Sequence, residues 1–324
     1  MSESLPRDPR QIPPSKLRGS YYPMRRRRRW ISLPVILFAL TCLSTFWVGI
    51  ADWRPTVPLQ SFNPGVIAHN FRLLLLENWE QGLWYMSSVL LILLLHEFGH
   101  FFTTIYYRVP ATAPIFLPFP FNPIGTLGAV IGMNGTLANR KQIFDIGIAG
   151  PLAGLVAAVP LAYLGVSELD LSEPARGGIG FRLPLLMQWM VQSIGVEGID
   201  PVEPIVWINQ LNPFFAAAWV GLLITGLNMM PVGQLDGGHI TYTLFGETSK
   251  WIAELAIVLA IAFMVYHQHF VLIVMVALIL IMGTAHPPTA DDTVKLGPAR
   301  WAIGLASLSI PILCFPPLIF KIVI

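Results

Sequence analysis

Charge is what this chain lacks most. Asp, Glu, Lys and Arg together make up 12% of its 324 residues, about half the share of an ordinary soluble domain. With 54% hydrophobic residues and a mean hydropathy of +0.63, the deficit excludes a water-soluble globule. It points to an integral membrane protein with several spans. Cysteine is nearly absent too. The two present, Cys42 and Cys314, both lie in apolar runs, so neither a disulfide framework nor a thiolate zinc site is available. Any metal must be held by His and carboxylate. No excess of one sign exists either, since the net charge is +2; the distribution says more. Arg25 to Arg29 form an unbroken run just before the apolar stretch Ile31 to Ile50, and Arg7, Arg10, Lys16 and Arg18 add to the same side. An arginine run can bind nucleic acid. Directly beside a span, the positive-inside rule explains it instead and puts the N-terminus in the cytoplasm. No nucleic-acid partner is expected. The stretch after Ile50, Ala51-Asp52-Trp53-Arg54, has no small-x-small cleavage pattern, so the first run reads as a retained anchor.

What is present centres on His96-Glu97-Phe98-Gly99-His100, which follows the apolar run Val89 to Leu95. On a helix, His96 and His100 share one face about 6 Å apart along the axis. That spacing lets two imidazoles grip one zinc ion, with Glu97 beside them as general base. Ionisable groups at bilayer depth cost on the order of 2.5–3.5 kcal/mol and are usually functional. The bland alternative is a polar helix end at the membrane surface.

The spans predicted from apolar length are about 31–50, 82–107, 143–166 and 206–229. Two more are expected within 251–284, which His267-Gln268-His269 interrupts, and a last one at about 299–320. The fold class is thus an all-α polytopic membrane protein of six to seven transmembrane helices. Residues 1–30 are a disordered basic tail, and residues 31–324 form one transmembrane domain with its core at 82–284. Residues 51–80 read as a loop, and so does the polar stretch 167–205. Residues 110–135 hold Pro110, Pro114, Pro118, Pro120 and Pro123, then Gly125 to Gly132. They are apolar, yet too broken to span, and short β segments turning at Asn122-Pro123 or Asn134-Gly135 fit better. A strand edge here, including Gly128 and Val130, could bind an extended peptide by β-augmentation; an interfacial loop is the alternative. Gly147, Gly150, Ala153 and Gly154 in the third span read as helix-packing residues.

Alternation of the spans brings His96, His100 and Asp236 to one side of the membrane. A catalytic zinc site takes three protein ligands and keeps one position open. Asp236, after an apolar span and before Gly237-Gly238, is the choice for the third, although it could be a solvated helix cap. His239, three residues on, competes for the role. His286 reads as structural or gating, His267 and His269 as opposite-surface residues, and His69 as a loop residue. Asn228 is a candidate oxyanion donor, or else a buried hydrogen-bonded amide.

Three motifs together resemble the site-2 protease family of intramembrane zinc metalloproteases. They are HEFGH, Gly150-Pro151-Leu152-Ala153-Gly154, and Asn228-x-x-Pro231-x-x-x-Leu235-Asp236-Gly237-Gly238, and the match covers roughly residues 84–245. The resemblance implies one Zn2+ per chain held by His96, His100 and Asp236, with Glu97 as catalyst. It implies that Asn228 contacts substrate and that the β segments near 110–135 hold an unwound substrate. It further implies regulated intramembrane proteolysis of a single-span membrane protein in the lipid bilayer, after trimming by an upstream site-1-type protease. No loop has room for an inserted PDZ-type domain, so the form is compact. A bacterial inner membrane is the expected location. Two other classes remain open: a membrane metal-ion transporter, and a non-catalytic relative that binds membrane helices.

Overall fold

A computed structural model of the chain describes residues 32–59, 63–172, 178–267, 273, 276–277, 283–284, 286–316 and 319–323. The basic tail, and Gln268 and His269 of the expected turn between two spans, lie outside the described residues. Four helices are long and apolar enough to cross a membrane: α1 (Ser32–Ile50), α2 (Pro64–Tyr107), α3 (Arg140–Ser167) and α7 (Thr248–His267). Between α3 and α7 stand the shorter α4 (Leu185–Ile194), α5 (Pro213–Asn228) and α6 (Asp236–Phe245); α8 (Pro298–Ser307) and α9 (Ile310–Cys314) follow α7. The chain is mostly helical, as its composition demanded, but the expected count of six to seven spans is not reached among the described residues.

Local chemistry explains where expectation and structure part. The predicted loop 51–80 is helical from Pro64. Asn63 caps that end by accepting from Gly65 N–H at 2.9 Å, and Pro64 takes the first helical position, where a missing N–H costs nothing. The expected last span, 299–320, is broken after Ser307. Leu308 and Ser309 form a turn, Pro311 can only restart a helix, and a strand, β5 (Phe320–Val323), follows. β5 joins β3 (Gly178–Arg182) and β4 (Ile205–Trp207) in an antiparallel sheet ordered β4-β3-β5. The stretch 167–205 is therefore not a plain loop, and the expected span at 206–229 starts only at Pro213. Asn212 caps α5 by accepting from Phe215 N–H at 2.8 Å, and its amide reaches Gly165 O at 2.8 Å. Trp219 ties α5 to the sheet, donating its indole N–H to Arg182 O at 2.8 Å. Its ring packs on Phe181 and Phe320 at centroid distances of 5.0 and 5.5 Å.

Residues 110–135 do form a hairpin. β1 (Ile115–Phe119) pairs antiparallel with β2 (Gly125–Val130), with a register shift between Phe116 and Pro118. Asn122 makes the turn, its Oδ1 accepting from Ile124 and Gly125 N–H at 3.1 and 2.6 Å. The hairpin docks on α1 and α2 through Ser44 Oγ–H to Gly125 O (2.6 Å) and Tyr85 Oη–H to Ile124 O (2.8 Å).

The core lies where α2, α3 and α5 meet, with Ile92, Phe144, Phe215, Trp219 and Leu222 fully buried. Small residues let the helices approach. A Cβ at Gly82 would stand 2.5 Å from Ile50 Cγ2 and 3.0 Å from Phe46. Gly82→Leu is therefore expected to separate α1 from α2 and cost about 1–3 kcal/mol. Denaturant unfolding of purified protein would measure it, and an unchanged midpoint would contradict this packing.

Candidate metal centre

α2 carries His96 and Glu97 into the interior, where they are 3% and 5% exposed; His100 follows one turn on. Asp236 reaches the same place from another part of the chain. The loop from Met229 to Leu235 turns back on itself, with Gly233 at φ 53° and Leu235 N–H donating to Val232 O at 3.2 Å. Asp236 is thereby the first residue of α6, where the positive end of the helix dipole favours a carboxylate. Gly237 and Gly238 permit the return. A side chain at Gly238 would meet Val232 O at 2.7 Å and would also strike Gly233 O.

Three atoms converge. His96 Nε2 lies 3.2 Å from Asp236 Oδ2, His100 Nε2 lies 3.3 Å from the same oxygen, and the two Nε2 atoms are 3.2 Å apart. The triangle is almost equilateral. Ligand atoms on a tetrahedral zinc about 2.1 Å from each would be about 3.4 Å apart. The donors thus have the identity, number and spacing of a zinc-binding face, and among the described residues no other group of three His, Cys, Asp or Glu does.

The ring of His100 is fixed from behind. Its Nδ1 lies 2.8 Å from Ile146 O, so Nδ1–H donates there and the Nε2 lone pair points into the triangle. Pro151 in α3 lacks the N–H that Gly147 O would receive and loosens this turn of the helix. Gly150 and Gly154 form the floor. A Cβ at Gly150 would strike His100 Nε2, and one at Gly154 would lie 3.2 Å from His96 Nδ1. Gly99, inside the HEFGH sequence, presses on α3, its hypothetical Cβ 2.5 Å from Ala149 O. The glycines of the third span were expected to serve helix packing, and Gly150 does meet Gly99 of α2; Gly150 and Gly154 also make room for the two imidazoles, and Gly147 for His239. Nothing in a single sequence distinguished the two roles. The glycines' spacing of three and four residues, matching the four between the histidines, was the available hint.

Asn228 ends α5 with its Nδ2 3.4 Å from His96 Nε2, so it adjoins the triangle. Glu97 makes no hydrogen bond among the described residues. His239 is not brought into the triangle. Its Nδ1 is 2.6 Å from His286 Nε2, while His286 Nδ1–H donates to Pro287 O. His239 Nδ1–H is therefore a donor to His286, whose ring stacks on Tyr242 at 4.3 Å. Burial holds the His286 imidazole below its usual range. Sequence reasoning missed this pairing because 47 residues separate the partners. Gly128 and Val130 lie on β2 and make no hydrogen bond to the triangle. Gly128 has φ 96° and open space where a side chain would stand, and Val130 is exposed.

Comparisons with known proteins agree with this geometry. Residues 84–272 match the family described as Peptidase family M50. The chain is 28% identical over 299 residues to the "Probable zinc metalloprotease EGY1, chloroplastic" of Oryza sativa subsp. japonica, covering 88% of this chain and 50% of the relative. It is 26% identical over 292 residues to the protein of the same description in Arabidopsis thaliana, covering 88% and 53%. With the Arabidopsis thaliana "Probable zinc metalloprotease EGY2, chloroplastic" the identity is 32% over 178 residues, 53% of this chain and 30% of the relative. The chain spans about half the length of the first two. All three carry chloroplastic names, which lends no support to a bacterial inner membrane.

The floor of the site is testable with one methyl group. Gly150→Ala should displace the His100 ring and weaken zinc binding about 100-fold, and Gly154→Ala about tenfold or less. Competition with a chromophoric chelator would measure both; equal, wild-type affinities would contradict the packing.

Proposed function

The chain belongs to Peptidase family M50, and on that premise we propose that it is a zinc endopeptidase that cuts membrane-anchored proteins within or near their transmembrane segments. The observation that carries the proposal is the triangle of His96, His100 and Asp236 donors, set in a bundle whose helices are long and apolar enough to cross a membrane. Those three residues would hold the zinc. Zinc, when bound, polarises the scissile carbonyl and makes water a stronger nucleophile at neutral pH.

The rest of the chemistry belongs to the chain. Glu97 accepts a proton from the attacking water and delivers it to the departing amide nitrogen. The C–N bond breaks, leaving a carboxylate and an amine. Asn228 Nδ2–H donates to the oxygen on which negative charge builds. His100 Nδ1–H, held by Ile146 O, keeps the imidazole in the tautomer whose Nε2 can ligate.

A spanning helix hides its carbonyls in its own hydrogen bonds. The substrate must therefore unwind locally, and we place the extended segment beside Gly128 and Val130, along the edge of β2 that pairs with no further strand among the described residues. We place the N-terminus in the cytoplasm on the strength of Arg25 to Arg29. A single-span substrate, trimmed beforehand by a site-1-type protease, fits the family.

Two outcomes test the reading. Glu97→Gln should lower the cleavage rate of a single-span reporter by about 10^2–10^4-fold while leaving zinc bound. Replacing helix-breaking residues of the reporter with leucine should slow wild-type cleavage. A fully active Glu97→Gln enzyme would overturn the assignment of the base, and equal rates on a uniformly helical reporter would overturn the unwinding step.

A further inference from the structure

α2 is longer than its chemistry requires. Its 44 residues would extend about 66 Å, roughly twice the hydrocarbon thickness of a bilayer. The excess lies before Asn78, where the backbone leaves helical geometry at φ −118°, ψ 15°. Asn78 Nδ2–H donates to Ile50 O at 3.0 Å and Gln81 Nε2–H to Gly49 O at 2.8 Å. The kink is thus level with the last residue of α1.

The direction of the arm before the kink follows from one aromatic contact. Phe71 stacks on Trp47 with centroids 5.6 Å apart and planes at 22°. In a straight α2, Phe71 would lie about 10 Å beyond Asn78, while Trp47 is about 4.5 Å short of Ile50 on α1. The gap of about 15 Å would widen further, because each side chain tilts toward the N-terminus of its own helix, and here those ends point apart. Contact requires the arm to bend over the end of α1, across the direction of the spans. Pro64, Ile67, Ala68 and Phe71 of the arm enclose a groove with Trp47 and Pro58.

The arm is two-faced. At 100° per residue, Ile67, Phe71, Leu74, Leu75 and Trp79 share one arc, and His69, Asn70, Glu77 and Glu80 share another; Val66 and Leu73 also fall in the polar arc, and Arg72 and Leu76 lie between the two. Phe71 covers the end of α1, yet it is still 46% exposed, and Trp79 is 49% exposed. Beyond the kink, Leu83 follows Trp79 by one helical turn, and Trp84 and Leu91 on α2 and Leu40 and Leu43 on α1 are exposed apolar residues of the spans. We propose that residues 64–77 are an in-plane interfacial helix whose partner is the lipid surface itself, with Phe71, Leu75 and the adjoining Trp79 at the boundary between headgroups and acyl chains. The inference owes nothing to the proposed catalysis, since it rests on the kink, the Trp47–Phe71 contact and the exposed apolar arc.

Site-directed nitroxides test it in the full chain, reconstituted in phosphatidylcholine nanodiscs after Cys42→Ser and Cys314→Ser. Labels at positions 75 and 79 should collide with dissolved oxygen and be shielded from a water-soluble nickel chelate; labels at 69 and 77 should show the reverse. Nickel access at all four positions would overturn the proposal by putting the arm in water. Shielding from both reagents at 75 and 79 would overturn it in favour of a protein partner or a second copy of the chain.

Discussion

Two imidazole nitrogens and one carboxylate oxygen, all within 3.3 Å of one another, set the constraint that the remainder of the structure obeys. Such a cluster is costly in an apolar bundle. A buried carboxylate loses its hydration, and two lone pairs facing each other repel. A divalent cation removes both costs at once. The scaffold must then hold the three donors without a matching set of charges around them. It does so with backbone carbonyls and close helix contacts, which introduce no competing ligand.

That solution explains the use of glycine and proline. Gly99 and Gly150 let α2 and α3 touch backbone to backbone, and Gly154 leaves room for His96. Pro151 disturbs the helical ladder beside the carbonyl that orients His100. Asp145 precedes that same Ile146 in α3. It is held by Arg300 through two bonds of 2.7 and 2.8 Å and by Tyr107 Oη–H at 2.5 Å. The carbonyl behind His100 thus belongs to a turn anchored to α2 and α8. Gly237 and Gly238 do the corresponding work for Asp236, folding the loop 229–235 under the start of α6.

The chemistry of the site was more legible in the sequence than its architecture. His96, His100 and Glu97 declare themselves by helical spacing in an apolar run, and Asp236 by its place among glycines after a span. Both are local patterns. The hairpin at 115–130 was legible because prolines and glycines forbade a helix. What stayed hidden depended on distant partners. β5 hydrogen-bonds to β3 across some 140 intervening residues, and nothing in Phe320–Val323 separates it from the end of a span. His239 is open as a ligand in the sequence and is paired with His286, 47 residues on, in the fold. The arm of α2 is hidden for a different reason: Pro55, Pro58 and Pro64 together suggest a loop, although Pro64 after Asn63 is a helix start.

The central claim, that two imidazoles and one carboxylate hold the metal, is tested most directly by zinc K-edge X-ray absorption on the purified, zinc-loaded chain. The account predicts a first shell of light N and O donors in which the multiple-scattering signature counts two imidazoles, unchanged in His239→Ala and altered in Asp236→Ala. Three imidazoles in the wild-type protein, with one lost in His239→Ala, would contradict it.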